Sequence, residues 1–408
     1  MVMTNRDRLL AAIRGEPTDS LPWAPRMDLW LIALRERHAL PDRFAQANTA
    51  EIADELGVAC HAVRADYTLP RPPEALLLRG LGIDNHPDYP YRVELDGLPC
   101  DFQYKDDQFR TAIRTNAGDV FLHLQHTREM GREGISLPFV KSYAIRSTDN
   151  LEAVGQVFDH LKVIPTPEAY AGFRRRIGER GLAVASGMIA ASPMHLILHD
   201  LVAMDQFFYL YADDREALYR LCARMEPFFE AVLAALVGCE AEVVLWGANY
   251  DQNLTWPPFF TDEIVPWLQR ASDTVHAAGK HLLTHADGEN RSLLPLYPQC
   301  GFDVAESVCV KPMTSCSLPE TRAGMGPEVT VWGGLPAVSL LDSCMPHDAF
   351  ERHLDELFAS LGSGERLILG VSDNVPPDAD LTRLERIKER VRAFGPICPT
   401  GETKRGTA

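Results

Sequence analysis

His281-Leu282-Leu283-Thr284-His285-Ala286-Asp287-Gly288, followed directly by Glu289-Asn290-Arg291, is the stretch whose reading decides the fold. Its first half is apolar enough for a short buried strand, and its second half carries groups that bind a metal or move a proton. Side chains at i and i+2 of a strand share a face, so His285 and Asp287 converge while Ala286 turns away. Gly288 then allows a sharp turn. The pattern before it predicts a helix from Thr261 to His276, with Thr261 as N-cap, Asp262 and Glu263 in the first turn and Gly279 as the stop. Helix, strand and polar tip are what the carboxyl end of a barrel strand requires.

Working outward toward the N-terminus, a short helix is expected from Thr4 to Arg14, ended by Gly15. An extended segment, Leu21 to Asp28, follows, because the prolines at 22 and 25 disfavour helix. The pattern next gives a helix from Thr49 to Leu56 and a second strand, Val58 to Arg64. Between Leu81 and about Thr127, Tyr91, Val93 and Leu95 alternate with charged residues, and Asn116 to Asp119 reads as a turn. This β-rich insertion suits a lid or a homodimer surface. Helix is expected from about Asn150 to Gly181, a third strand at Leu182 to Gly187, and interrupted helix from Ser192-Pro193 to Val237, with Asp213 as a cap and Pro227 bending it.

Toward the C-terminus, strands are expected at Val243–Gly247, His281–Asp287, Phe302–Ser307, Val329–Gly334 and Leu367–Asp373. Eight strand segments separated by helical crossovers, with no Gly-rich phosphate fingerprint after the first, favour an α/β fold of the (β/α)8 barrel type over a dinucleotide-binding sheet. The expected organisation is one barrel over 1–400, the β-rich insertion 81–127 within it, and a disordered tail 401–408.

A net charge of -17 gives no electrostatic reason to expect nucleic acid or anionic lipid as a partner, and leaves a small molecule. Nine cysteines without a CxxC pair, and a start without an apolar leader, point to free thiols in a reducing cytoplasm. No apolar run reaches the length of a membrane span.

The later strands all end in polar residues: Asn249 and Asp251, His285 and Asp287, Glu306 and Ser307, then Ser372, Asp373 and Asn374. In a barrel these tips share one mouth, where a histidine and two or three carboxylates hold a divalent ion with open positions. Glu306 reads equally as a ligand, a general base or a buried partner of an arginine. Glu306 and Asp251 are the candidate catalytic groups. Trp246 and Tyr250, beside Asn249, either line an aromatic substrate pocket or pack a loop. Arg26 and Asp28 either bind substrate or pair with each other. His195 and His199, at i and i+4, read first as ordinary helix residues, and Cys309 and Cys316 as free thiols.

Arg8 to Pro17 with Leu21-Pro22, then Ala278-Gly279-Lys280, the His285-x-x-Gly288-x-x-Arg291-x-Leu293-Leu294-Pro295 run, and Ile368-Leu369-Gly370 followed by Asn374-Val375-Pro376-Pro377 together resemble the uroporphyrinogen decarboxylase superfamily. The resemblance spans nearly the whole chain and is clearest after Glu240. It implies a (β/α)8 barrel and one of two activities, decarboxylation or zinc-dependent methyl transfer linked to cobalamin.

The chain departs from both branches. Where the decarboxylases carry an arginine-rich RQAGR-like clamp, this sequence reads Pro25-Arg26-Met27-Asp28-Leu29-Trp30. Where the methyltransferases show His-x-Cys-Gly and a distal cysteine before the final proline pair, it reads His285-Ala286-Asp287-Gly288 and Asp373. The resemblance therefore implies His285, Asp287 and Asp373 as ligands of a divalent metal, zinc first, with both thiolates replaced by carboxylates. Such a set is harder and more electrophilic, and suits gripping a substrate oxygen.

The leading expectation is a metal-dependent methyltransferase or O-demethylase passing a methyl group from a small, methoxylated substrate to a corrinoid on a separate partner protein. Ser372, Arg26, Asp28, Trp246, Asn249 and Tyr250 would hold that substrate. A metal-free decarboxylase with a basic cavity of Arg26, Arg64 and Arg291 is the alternative, and a non-catalytic binding barrel the third.

Overall fold

The computed structural model describes residues 2–187 and 190–399. The expected tail, 401–408, lies outside the described residues. Eleven strands are described, in chain order β1 Tyr91–Leu95, β2 Cys100–Lys105, β3 Gln108–Thr115, β4 Gly118–Gln125, β5 Phe139–Ser142, β6 Leu161–Pro165, β7 Val243–Ala248, β8 His281–His285, β9 Val304–Val308, β10 Thr330–Leu335 and β11 Leu367–Val371. The fold is mixed α/β.

The C-terminal half carries a five-stranded parallel sheet ordered β11-β10-β9-β8-β7, with helices between successive strands. Every residue of β7, β9, β10 and β11 is buried, as strands covered on both faces require. The three earlier segments expected as strands are not regular strands. Each makes a single parallel bridge instead: Trp23 to Leu369, Cys60 to Gly181 and Ala185 to Val244. Their backbones still pair, with Ala24 N donating to Leu369 O, Ala59 N to Trp23 O and Val184 N to Ala62 O. Pro22 and Pro25 flank the first of these contacts, and a proline cannot donate to a ladder.

One core cluster draws side chains from all eight of these segments, among them Ala24, Val63, Val184, Leu245, Leu283, Val304, Trp332 and Ile368. Leu9, Leu10 and Ile13 of the first helix, Asn5–Arg14, join the same cluster. That helix begins as the sequence predicts, with Thr4 Oγ1 accepting from Asp7 N, and stops at Gly15 in the left-handed conformation.

The β-rich segment forms two structures. β2, β3, β4 and β5 make an antiparallel sheet in that order, whereas β1 pairs with β6. Strand therefore extends beyond Thr127, to Ser142. β6 falls inside the stretch expected to be helical from Asn150 to Gly181; it carries the β-branched pair Val163-Ile164 and is held by pairing with Tyr91–Leu95. The helix before β8 also differs: Thr261 sits in a wide turn, Phe260–Ile264, and its hydroxyl donates to Pro257 O rather than capping. Asp213 ends one helix, and Asp214 precedes the next, Arg215–Gly238, which runs through Pro227. All nine cysteines are free, and no described helix is long and apolar enough to cross a membrane.

Candidate active site

Parallel pairing of β8 with β9 sets His285 directly beside Glu306. Glu306 is 2% exposed, and burying a carboxylate is tolerated only where both oxygens find donors. Its Oε2 lies 2.5 Å from His285 Nδ1 and its Oε1 2.9 Å from His61 Nε2. Glu306 thus bridges two imidazoles delivered by different segments. His61 rests edge-on against Trp332, 5.1 Å between ring centres, which fixes its plane.

With Nδ1 committed to Glu306, His285 turns Nε2 toward Asp373 Oδ1, 3.6 Å away. Asp373 follows β11 and also accepts from Arg26 NH1 at 2.9 Å, while Arg26 Nε donates to Asp28 Oδ2 at 3.1 Å. Arg26 is therefore shared between two aspartates, one at the start of the helix Asp28–Glu36 and one just past β11. Asp287 lies past the end of β8, where Cys309 Sγ donates to its Oδ1 at 3.0 Å.

These groups adjoin a cavity of about 360 Å³ lined by Arg26, Arg64, Tyr67, Ser136, Asn249, His285, Asp287, Asp373 and Asn374, with Leu29, Ile135 and Leu137 as its apolar wall. The size matches a small organic molecule. A larger cleft, about 610 Å³, lies on the outer face of the antiparallel sheet and contains none of the candidate residues.

Burial by itself pushes the Glu306 carboxyl up, but His285 and His61 more than reverse this and hold it well below the usual range. Burial pushes the His285 imidazole down, and Glu306, then Asp373 and Asp287, lift it above its ordinary value. Both shifts describe one charged pair. Asp373 is held low by Arg26 and His285 against the effect of burial, and those same two aspartates hold Arg26 firmly charged despite desolvation. Asp287 goes the other way: burial raises it, and the neighbouring Asp373 and Glu306 add to the rise. The Cys309 thiol is pushed up by burial and by Asp287, so it stays a donor.

Among the six described non-glycine residues with left-handed backbone are Asn249, just past β7, at φ 61° and Ser307, near the end of β9, at φ 63°. Backbone of this kind concentrates at functional sites. Asn249 Nδ2 lies 3.3 Å from His199 Nε2, whose Nδ1 is in turn 2.9 Å from Asp200 Oδ2. The expected turn at Gly288 has φ 122°, and a Cβ there would stand 2.5 Å from Tyr250 O.

Of the predicted site residues, His285, Asp287, Asp373, Arg26 and Asn249 line this cavity, and Glu306 and Asp28 stand behind them as partners of His285 and Arg26. Four others do not line it, although Ser372 still bonds Cys309 beside Asp287. Asp251 spends its carboxylate on a loop, accepting from Asn253 N at 2.8 Å and Glu289 N at 3.1 Å. Trp246 is a core residue whose Nε1 donates to Ala191 O, packed edge-on against Phe229. Tyr250 is fully buried with its hydroxyl 2.9 Å from Thr284 Oγ1, and Ser372 Oγ donates to Leu335 O at 2.9 Å. None of the four lines the cavity. Arg291 also stays outside, bound to Ser315.

His61 and Cys309 belong to the site, and sequence reasoning did not single out either as functional. The available signal for His61 was a lone polar residue in the apolar run Val58 to Val63. Buried His195 is pushed down to about 3 by desolvation and has its Nδ1 3.1 Å from Ala191 N, as an ordinary neutral core histidine would.

Among the described residues no three His, Cys, Asp or Glu side chains are grouped closely enough to hold a metal ion. The donor chemistry nevertheless fits: an imidazole nitrogen and two carboxylates face one cavity, and a carboxylate on the far nitrogen of a histidine is the usual support of a metal-binding imidazole. Arg26 holds Asp373 by its Oδ1 and the Cys309 thiol holds Asp287 by its Oδ1.

The family model for uroporphyrinogen decarboxylase (URO-D) matches residues 129–394 of the 408, and the chain belongs to that family. Among solved structures, a methyltransferase from Methanosarcina mazei is similar over 96% of this chain and 99% of its own, with a TM-score of 0.56 and 17% sequence identity, a likeness of fold. No curated protein matches the sequence.

Proposed function

We propose that this member of the uroporphyrinogen decarboxylase family is a metal-dependent methyltransferase or O-demethylase, transferring a methyl group from a small, methoxylated substrate to a corrinoid on a separate protein. The observation that carries the reading is the Glu306 clamp on His285 Nδ1, which leaves Nε2 facing the cavity beside Asp287 and Asp373. The scaffold in this reading is a closed (β/α)8 barrel with the segment 81–127 inserted. In its favour stand the five parallel strands, the three parallel bridges and the core cluster fed by eight segments.

His285, Asp287 and Asp373 would hold the ion, zinc being the first candidate for one imidazole and two carboxylates. A metal there supplies Lewis acidity toward a substrate oxygen. The chain's own residues do the rest. Glu306 fixes the tautomer and plane of His285, and His61 keeps Glu306 ionised and oriented. Arg26 sets the position of Asp373 and balances the acidic tips. Leu29, Ile135 and Leu137 exclude water from one side of the cavity, and the Asn249 amide presents a hydrogen-bonding group from the other.

The alternative decarboxylase reading needs a basic cavity. Arg26 is neutralised by two aspartates and Arg291 lies outside, so of the three arginines only Arg64 lines the cavity without an ion pair among the described residues, its guanidinium 5.8 Å from the Tyr67 ring centre. That is a poor match to a polycarboxylate.

Elemental analysis of the purified untagged protein, beside Asp287→Ala and His285→Ala, tests the proposal. The expected result is near one divalent ion per chain in the wild type, lost in both variants, with methyl transfer from methoxylated compounds to cob(I)alamin following the metal. Metal-free wild type after incubation with zinc sinks the reading.

A further inference from the structure

We infer that two copies of this chain pair through the free edge of β2, antiparallel and about a twofold axis at Gln103, joining the two four-stranded sheets into one of eight strands. β2 ends the sheet order among the described residues, and all its residues but Phe102 are exposed. An unpaired edge is a template for a further strand unless something blunts it. The opposite edge is blunted: β5 is four residues long and its register with β4 shifts at His123. β2 has no bulge and no internal proline, and its six residues pair without a break from Cys100↔Ile113 to Lys105↔Gln108.

The register follows from the backbone. Arg114 N donates to Pro99 O, so Pro99 faces β3, and in an antiparallel ladder every second residue does the same. Asp101, Gln103 and Lys105 therefore spend their backbone groups on β3. Cys100, Phe102 and Tyr104 point theirs out of the sheet. A second β2 meets these outward groups only when even-numbered residues oppose even-numbered ones.

Among such registers, the one centred on Gln103 sets Phe102 against Tyr104 of the other copy, twice. It also sets Asp101 against Lys105, twice, in the non-hydrogen-bonded positions where side chains approach most closely. Shifting by two residues one way puts Lys105 opposite Gln103 and Asp101 beyond the end of the strand, at the turn Asp106–Asp107. Shifting the other way leaves Lys105 opposite Pro99 and Asp101 opposite Gln103. Only the central register has opposite charges facing and no like charges facing. It also covers Tyr104, which is 49% exposed and stacks on Phe109 at 4.6 Å, extending that aromatic pair with Phe102 of the second copy. The charge pattern is self-complementary, which is why the occupant is another copy of this chain rather than a peptide of different sequence.

Sedimentation equilibrium of the full chain across roughly 1–300 µM at low salt tests this. The interface is one strand wide and below the area of a standard complex, so a reversible dimer with a dissociation constant on the order of 10–100 µM is expected. Asp101→Lys and Lys105→Asp singly oppose like charges and are expected to weaken it at least threefold each. The double variant exchanges the charges and is expected to return to within twofold of wild type. Tyr104→Pro removes one outward N–H while sparing the bonds to β3, and is expected to be monomeric. Unchanged urea midpoints in the charge variants would show that folding is intact. A monomer at all concentrations, a dimer indifferent to the single charge changes, or a double variant weaker than both singles would each overturn the inference.

Discussion

Removing the Glu306 carboxylate should unsettle the whole site, and the cost follows from its contacts. Both oxygens accept from histidines, the side chain is 2% exposed, and His285 is buried alongside it. Deleting one member of a buried ion pair leaves the other unpaired and costs about 3–5 kcal/mol, so Glu306→Ala is expected in that range. Glu306→Gln keeps the shape and one acceptor. It loses charge assistance on two bonds, about 1 kcal/mol each, and forces one histidine into the other tautomer, for a total of about 2–3 kcal/mol.

Urea unfolding of chelator-treated protein measures the gap between wild type and each variant. The pH dependence has a definite sign. His285 is raised above its ordinary 6.5, so the stability it contributes is fully present below that value and is lost as pH climbs through the raised one. Glu306 is lowered from 4.5, so its contribution is present above 4.5 and lost only as pH falls through the depressed value. The gap between wild type and Glu306→Ala should therefore be widest between those two ordinary values and narrow in alkali. A gap under about 1 kcal/mol at pH 6, or one that widens between pH 6 and pH 9, would refute the clamp.

Three further outcomes are expected. Arg26→Gln removes the cation that Asp28 and Asp373 share and should cost about 2–4 kcal/mol in urea unfolding at neutral pH, with Asp373 losing the depression that Arg26 imposes, which titration of the carboxyl by NMR would read. Gly288→Ala drives a methyl group onto Tyr250 O in a backbone region that alanine rarely adopts, and should lower stability by at least about 3 kcal/mol while Gly238→Ala, with nothing near its Cβ, does not. Ser307→Gly relieves a left-handed serine and removes a buried hydroxyl that has no hydrogen-bond partner among the described residues, so thermal unfolding should show a gain of about 1–2 kcal/mol after the entropy of glycine is deducted.

Local pattern was enough for the parallel core, because strands buried on both faces must be written as short apolar runs, and β7 to β11 fall within two residues of where those runs predict them. It was enough also for the first helix, whose cap and glycine stop are local features, and for family membership, carried by glycine and proline positions that set turns at the strand ends. His285, Asp287, Glu306 and Asp373 were visible as polar residues terminating such runs. What the chain order does not contain is which polar tips face inward. His61 was hidden in an unremarkable segment 245 residues from its carboxylate, and only strand pairing brings the two within 2.9 Å. Asp251, Trp246, Tyr250 and Ser372 carried the same local signature as the true lining residues, yet the loop and core claimed their polar atoms first. β6 was misread for a related reason: its conformation is fixed by a partner strand about 70 residues earlier. Periodicity reports the face that a residue presents to its own element. Whether that face meets a cavity, a second carboxylate or the core is decided by long-range packing, which the sequence encodes only through the folded whole.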